Sequence, residues 1–317
     1  MAVHGHGRAG AAVATAVAGG LALGLLVLSG CGERDGADGA ADGRGGRAAG
    51  GGRVQPVSLG GFRGTAVDPV RALEVVRRAA GTLADAGGAQ VRTAMETVSG
   101  GTRLTIRGLG TYDFARPVGR LTVLLPEGEA GRAGHRPITE VFVPGALYMK
   151  NRGAGVLADK WVRLETGALP DGNLLTSGAT DPLAAAELLA GAREVAYAGE
   201  DRLRGVRVAH YWGTIDLERA ARQAPARDRA PLAAAAKGFS SGMVAFDAYL
   251  DEAGRPRLVR YRFGVGPAVA ASAAPSGPPP SMTVESVVEL FGFGPRPVIE
   301  LPAPGEIYAG TVASPQK

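Results

Sequence analysis

The amino-acid sequence predicts an α+β domain built on a single curved antiparallel sheet of about ten strands, with a few helices covering one face. Many short segments alternate apolar and polar residues with a period of two, and turns containing Gly or Pro separate them. Helix-start signals occur at only two or three points between these segments. A parallel βαβ fold does not fit, because it needs a crossover connection between successive strands.

The composition indicates how much of the chain folds. Of 317 residues, 45% are hydrophobic and 21% are charged, so a packed core is available and global disorder is excluded. Aromatic residues make up only 5%, whereas Gly contributes 50 residues and Pro 21, so we expect part of the chain to be spacer. The formal charge is only +5 and basic residues are interleaved with acidic ones, which argues against a nucleic-acid-binding protein.

The N-terminal segment has the form of a secretory signal. Arg8 precedes an apolar stretch over residues 9–28, and Leu28-Ser29-Gly30-Cys31 ends it. These last four residues resemble the lipobox of bacterial lipoproteins, in which the cysteine receives a diacylglyceryl thioether and becomes the mature N-terminus. We therefore expect a signal peptide over residues 1–30 and a lipid anchor at Cys31. An uncleaved membrane anchor is the alternative, since about 20 apolar residues can span a bilayer.

Residues 31–61 are expected to form a flexible stalk after the lipidated cysteine. The segment is rich in Gly and Ala, and its four acidic side chains balance its four basic ones. Such a segment cannot bury enough surface to offset its chain entropy. The folded domain is then expected over residues 62–310, followed by a short tail over 311–317. A single cysteine excludes an intramolecular disulfide and a Cys-rich metal site.

Start signals place the helices. Asp68-Pro69 offers an N-cap followed by Pro at the first helical position, and Asp181-Pro182 repeats this signal. A third helical region begins at Asp216 and is expected to break at Pro225 and at Pro231. The strands are expected at residues 91–98, 102–109, 120–125, 138–143, 147–150, 160–164, 193–198, 206–215, 243–250, 257–265 and 282–290.

Alternation along the strands separates an apolar face from a solvent-exposed one. The solvent-exposed face is expected to be convex and to carry Arg103, Arg107, Arg120, Arg260 and Arg262. A wide sheet has to curve, and a few Ala-rich helices are expected to leave a cavity on its apolar side. The expected lining residues are Leu104, Ile106, Leu121, Val123, Val141, Val259 and Tyr261, with Tyr148 and Trp161 as either plain core or a ligand platform.

Catalytic and metal-binding arrangements are not indicated. The segment Gly238 to Gly242 fits the G-x-S-x-G pattern of serine hydrolases, but it follows a helical region, precedes a strand and has no histidine after it. Only His135 and His210 remain once the signal is removed, and they lack the spacing of a helical zinc site. His210 is expected in the core or in a pocket wall. We expect a non-catalytic protein without a cofactor or a metal.

Several short motifs together resemble one family. They are the lipobox, the Gly-rich stalk, the opening helix, Val143-Pro144-Gly145, Lys160-Trp161-Val162, the Asp181-Pro182 helix start and the strand His210-Tyr211-Trp212-Gly213-Thr214-Ile215-Asp216. The chain is thereby similar to the LppX/LprG-type lipoproteins of actinobacteria. That family is similar in fold to the LolA and LolB carriers, which form a curved antiparallel half-barrel closed by helices around a hydrophobic pocket.

The resemblance implies a cell-surface lipoprotein, held on the membrane by its lipid anchor, that binds or carries a lipid or an acylated glycolipid. The alternative is a module that senses or contacts another envelope protein with a filled version of the same fold. A carrier predicts a cavity of several hundred Å³, whereas an interaction module predicts a packed interior and an exposed apolar patch. A third hypothesis is a hydrolase acting through Ser240.

Overall fold

The computed structural model describes residues 67–99, 101–126, 136–152, 156–265 and 282–310. The expected signal peptide, Cys31, the stalk and the tail lie outside the described residues. Within these residues the helices are α1 (Pro69–Ala84), α2 (Pro182–Leu188), α3 (Leu217–Gln223) and α4 (Ala226–Gly238). The strands are β1 (Gly88–Ser99), β2 (Thr102–Asp113), β3 (Val118–Leu124), β4 (Ile138–Val143), β5 (Ala146–Lys150), β6 (Trp161–Glu165), β7 (Ala192–Leu203), β8 (Val206–Asp216), β9 (Met243–Asp251), β10 (Pro256–Gly264) and β11 (Met282–Gly294).

The described strands form one open antiparallel sheet of 11 strands in the order β6-β5-β4-β3-β2-β1-β11-β10-β9-β8-β7. The sequence-based prediction of one antiparallel sheet with helices inserted is confirmed. The sheet consists of two meanders, β1 to β6 and β7 to β11, which join where β1 pairs with β11. That long-range pairing leaves β6 and β7 at the two edges of the sheet.

The helix starts follow from the predicted caps. The Asp68 carboxylate accepts a hydrogen bond from the Val70 backbone N–H at 3.0 Å, and Asp181 caps α2 in the same way. The predicted break at Pro225 separates α3 from α4, but α4 continues through Pro231. Burial of α4 side chains in the core compensates for the backbone hydrogen bond that a proline removes. None of the described helices has the length and apolar character needed to cross a bilayer.

The strand register defines an inner and an outer face. Buried apolar side chains occupy the inner face, and the helices pack on it. The Tyr112 hydroxyl on β2 donates to Asp181, and the Tyr261 hydroxyl on β10 donates to the Ala185 carbonyl. Asp181 and Ala185 lie one helical turn apart. Two strands that are three positions apart in the sheet thus converge on one turn of α2, so the inner face is concave there. The predicted arginines lie on the outer face.

Candidate functional site

The candidate site is the concave inner face of the sheet. The register places six of the predicted lining residues on it: Leu104, Ile106, Leu121, Val123, Val259 and Tyr261. All of these are at most 4% exposed except Leu104, which is half-buried. Alternation therefore identified the inner face correctly on β2, β3 and β10.

Three other predicted lining residues lie on the outer face instead. Val141 pairs with Arg120 and with Tyr148, and Trp161 pairs with Lys150, so Val141, Tyr148 and Trp161 all point away from the concave side. Cations partly cover the two aromatic rings, with Arg163 over Tyr148 and Lys150 over Trp161. Strand β4 is buried on both faces near its middle, so hydrophobicity alone does not tell which of its residues point to the inner face.

His210 also lies on the outer face rather than in the core or a pocket wall. Its ring stacks on Tyr249 with centroids 4.2 Å apart, and its Nε2 atom lies 2.9 Å from Asp247 Oδ1. Its apolar neighbours on the same face of the strand, Val208 and Trp212, suggest burial, but Trp212 is 54% exposed. The polar partners come from β9, which the local sequence pattern does not specify.

Residues 166–181, which we call the inner loop, cover the inner face over β2, β3 and β4. The Asp171 carboxylate organises this loop by accepting hydrogen bonds from the backbone N–H groups of Asn173, Leu175 and Thr176. Gly178 has φ +91°, and a Cβ atom there would lie 3.1 Å from the Ile106 side chain. The inner loop therefore packs directly on the predicted lining residues.

Three hydrogen bonds fasten the inner loop and α2 to the sheet. Tyr112 Oη donates to Asp181 Oδ2 at 3.1 Å, and Tyr261 Oη donates to the Ala185 carbonyl at 2.6 Å. The hydroxyl oxygens of Thr180 and Ser286 lie 2.6 Å apart. The inner loop and α2 are thus held across β2, β10 and β11 by polar bonds as well as by apolar contacts. The inner loop and helices α1 to α4 are together called the cover.

Buried apolar side chains of the sheet, the inner loop and the helices form one cluster under the cover. The cavity expected among them stays a prediction. Two surface cavities lie at strand ends. One of about 400 Å³ is lined by residues of the β7–β8 and β9–β10 turns, including Arg207, Asp251 and Arg257. The other, of about 100 Å³, lies between Asp113 and the segment that follows β11.

Buried acidic groups join α2 to α4. Arg227 Nη2 donates to Glu187 Oε1 at 2.6 Å, and Arg227 Nε lies 2.8 Å from Asp228 Oδ2. Burial and the adjacent Asp228 carboxylate raise the pKa of Glu187 to about 9, so this group is protonated at neutral pH. Burial also raises the pKa of Asp181 to about 6. The α2–α4 contact therefore depends on protonation.

Glu140 is a second unusual acid, on the inner face of β4. It is completely buried, and its polar neighbours among the described residues are the Ser177 hydroxyl and the Arg152 guanidinium, neither of which makes a hydrogen bond of good geometry to its carboxyl oxygens. Burial raises the pKa of Glu140 to about 8, and the nearby Arg152 guanidinium opposes this shift. Glu140 is consequently a neutral acid at pH 7, placed in the apolar layer between Leu121 and Met149.

Ser240 lies in the turn between α4 and β9, as the sequence predicted, and its backbone N–H donates to the Gly264 carbonyl at 3.0 Å. His210 is on the outer face of the sheet, and α4 precedes rather than follows this serine. This is not the strand-to-helix turn that a serine nucleophile requires. In the described ranges, no cluster of three or more His, Cys, Asp or Glu side chains could hold a metal ion.

Sequence reasoning missed the inner loop and Glu140. The Asp171-Gly172-Asn173 and Ser177-Gly178 segments are turn signals, which predict a loop without predicting where it lies. A glutamate between Thr139 and Val141 in an alternating strand gives no sign of burial. Both features depend on contacts between segments that are distant in sequence.

Comparisons with known proteins give structural matches only. No protein-family model matches this chain, and no curated protein sequence matches it. LprF from Mycobacterium bovis matches 75% of this chain and 100% of its own at 12% identity, with a TM-score of 0.38. Lipoprotein LppX from Mycobacterium tuberculosis matches 70% of this chain and 95% of its own at 13% identity, with a TM-score of 0.36. A LolA superfamily protein from Nitrosomonas europaea matches 74% and 96% at 10% identity, with a TM-score of 0.28.

LppX carries the name of the family that the sequence motifs resemble. What this chain binds has to be inferred from its own residues.

Proposed function

We propose that this chain is a lipoprotein of the cell envelope, anchored through Cys31 on the outer side of the cytoplasmic membrane, whose domain binds the acyl chains of a lipid or glycolipid. The ligand lies between the inner face of the sheet and the cover, and no covalent step is involved. The proposal is supported mainly by one observation, a broad concave apolar face beneath a cover made of a loop and four separate helices.

The apolar inner face offers the area that acyl chains need. Its side chains line β1 to β4 and β8 to β11, and Ile106, Leu121 and Val123 form a continuous patch under the inner loop. Burial of apolar surface stabilises a complex by about 25 cal/mol per Å². Acyl chains that replaced the cover would therefore recover most of the contact energy that the cover now contributes.

The cover is built to be displaced more easily than a continuous helical layer. Helices α2 and α3 have 7 residues each, and α4 contains Pro231. Five of their twelve buried residues are alanines, which bury little area per residue. Glu187 and Asp228 lie together between α2 and α4, and buried ionisable pairs are commonly less favourable than apolar contacts.

Native mass spectrometry tests this proposal. The chain from Val57 onward, which keeps all described residues, is produced in an actinobacterial host and purified without detergent. We expect a discrete added mass that organic extraction releases as lipid. A bare protein mass that does not shift on addition of phospholipid or glycolipid extract would refute lipid binding.

A second candidate function is supported by exposed apolar side chains on the outer face of the sheet. A filled domain can serve as a module that contacts another envelope protein, and the outer face offers exposed apolar side chains for such a contact. Leu109 and Leu124 on neighbouring strands are 51% and 54% exposed. A bare mass in the experiment above, combined with loss of a cross-linked envelope partner in Leu109→Ser, would favour this function.

A further inference from the structure

Glu140 is a single acidic side chain in an otherwise apolar part of the inner face. The register places Leu121 and Met149 beside it on the neighbouring strands, and Ile138 and Phe142 lie before and after it on the same face of β4. These four side chains are at most 2% exposed, and Glu140 itself is completely buried. The carboxyl group therefore lies in the apolar layer where the acyl chains of the proposed ligand would lie.

The hydrogen-bonding capacity of this carboxyl group is unused. Neither of its oxygens makes a hydrogen bond of good geometry among the described residues. The neighbouring Ser177 hydroxyl of the inner loop donates its single hydrogen to the Ala179 carbonyl at 2.8 Å, so it has none left for Glu140. Arg152 acts on Glu140 through its charge and not through a hydrogen bond. Buried polar groups in folded proteins are nearly always paired with protein, water or a ligand, so this exception points to a missing partner.

A second unpaired polar atom lies on the far side of Leu121. Thr93 on β1 is 2% exposed, and its Oγ1 atom has no hydrogen-bond partner among the described residues. This hydroxyl leans over Gly108 on β2. A Cβ atom at Gly108 would lie 2.4 Å from Thr93 Oγ1 and 3.4 Å from Leu121 Cδ2. Two unpaired polar groups thus border the same apolar side chain, and this part of the inner face suits a ligand that has a polar group beside its acyl chains.

The chemistry of a buried carboxyl group selects the kind of ligand group that it binds. Burial raises the pKa of Glu140 to about 8, so at neutral pH the group offers one O–H donor together with acceptor oxygens. A hydroxyl group also has a donor and an acceptor, so it pairs with either protonation state of Glu140. An anionic ligand group would be repelled by the ionised state and would lose its hydration in this apolar layer.

We infer that Glu140 determines ligand specificity by binding a hydroxyl group, and that the ligand is an acylated polyol with a free hydroxyl close to its acyl chains. The inference rests on the proposed function, because a ligand reaches Glu140 only when the inner loop gives way. An unpaired acid in an apolar layer costs stability, and binding sites commonly retain groups of this kind.

Competition between two lipids that differ in one hydroxyl group tests this inference. The full chain is held in micelles of lauryldimethylamine oxide, which carries no hydroxyl group. Dioleoylglycerol, which has one free hydroxyl, is added together with an equal amount of the same lipid acetylated at that hydroxyl. Native mass spectrometry resolves the two bound species by the mass of the acetyl group. The variants are Glu140→Met and Glu140→Gln, and Glu194→Met is the matched control because Glu194 is an exposed glutamate on β7.

We expect the parent chain and Glu194→Met to prefer the lipid with the free hydroxyl by at least about fivefold, the contribution of one net hydrogen bond. Glu140→Met should bind the two lipids equally, whereas Glu140→Gln should keep a preference because an amide also has a donor and an acceptor. Equal binding of the two lipids by the parent chain, or a preference that survives in Glu140→Met, overturns the inference and leaves lipid binding in place. A parent chain that binds neither lipid overturns the proposed function together with the inference.

Discussion

Tyr112 on β2 donates its hydroxyl hydrogen to the carboxylate of Asp181, with 3.1 Å between the two oxygens. The same carboxylate caps α2 through the backbone N–H groups of Leu183 and Ala184. Asp181 therefore joins the sheet, the inner loop and α2 in a single buried group. Because the bond lies between the cover and the inner face, its strength bears directly on whether the cover can move.

Tyr112→Phe should lower the free energy of unfolding by about 1–2 kcal/mol, since it removes one hydrogen bond to a buried carboxyl group. It should also raise the pKa of Asp181 further, because the tyrosine hydroxyl now stabilises the carboxylate form. Urea unfolding measures the loss. Tyr148→Phe, on the outer face, is the control and should change stability by less than about 0.5 kcal/mol. Equal losses in the two variants would show that the Tyr112 bond has no special role.

Gly172→Ala should detach α4 from the inner loop. Gly172 has φ +59°, and a Cβ atom there would overlap the Pro231 carbonyl oxygen of α4. Gly145→Ala is a matched control, because Gly145 has φ +76° and would have no atom within 4 Å of its Cβ. The control should lose about 1 kcal/mol from backbone strain alone. Gly172→Ala should lose more, and faster proteolysis near α4 should accompany it; equal stabilities would contradict the packing described here.

The stability of the domain should fall as pH rises from about 5 to about 9. Glu187 has a folded-state pKa of about 9 against an ordinary value of 4.5, so the folded state retains a proton that the unfolded chain releases. Such a group stabilises the fold fully below its unfolded pKa, and this contribution is lost as pH rises through the folded pKa. Urea unfolding across this range measures the slope. Glu187→Gln should flatten it and should be more stable than the parent chain at pH 8.5; an unchanged slope would exclude Glu187 as its source.

Glu140→Met should stabilise the domain at pH 8 by about 1–3 kcal/mol. The substitution replaces a buried carboxyl group that makes no hydrogen bond of good geometry by an apolar side chain of similar length. The gain should shrink toward pH 3, which lies below the ordinary pKa of 4.5, because Glu140 is then protonated in both the folded and the unfolded state. Thermal unfolding at the two pH values measures it. A loss of stability at both would mean that Glu140 has a partner that the described contacts lack.

Local signals were sufficient for most elements of this fold. Asp68-Pro69 and Asp181-Pro182 fixed two helix starts, because capping depends on residues adjacent in sequence. Period-two alternation identified the inner positions on β2, β3 and β10, where polar side chains mark the opposite face. Contacts between segments distant in sequence could not be predicted from these local signals. The β1–β11 pairing joins residues that are 183 to 206 positions apart, from Ser99 with Met282 to Gly88 with Gly294. The turn signals in the inner loop do not reveal that it lies on the concave side.

The candidate site was predictable only where one face of a strand is polar. Strand β4 is buried on both faces, so Val141 was assigned to the inner face while Glu140, its neighbour, actually lies there. Trp161 and Tyr148 were assigned by residue type, although cations cover their rings on the outer face. The prediction that His210 lies in the core or a pocket wall is also wrong. Its carboxylate partner Asp247 comes from another strand, so the local pattern does not reveal it.

Locking the cover to the sheet tests the central claim, that lipid enters beneath the cover, most directly. The hydroxyl oxygens of Thr180 and Ser286 lie 2.6 Å apart, so cysteines at these positions are close enough to form a disulfide. Lipid bound per chain is measured by native mass spectrometry for Thr180→Cys/Ser286→Cys in its oxidised and reduced forms, after incubation with envelope lipid extract. Ser286→Cys treated with the same oxidant is the control. We predict bound lipid in the reduced form and in the control, and none in the oxidised form; equal lipid in the oxidised and reduced forms, or none in any sample, would contradict the claim.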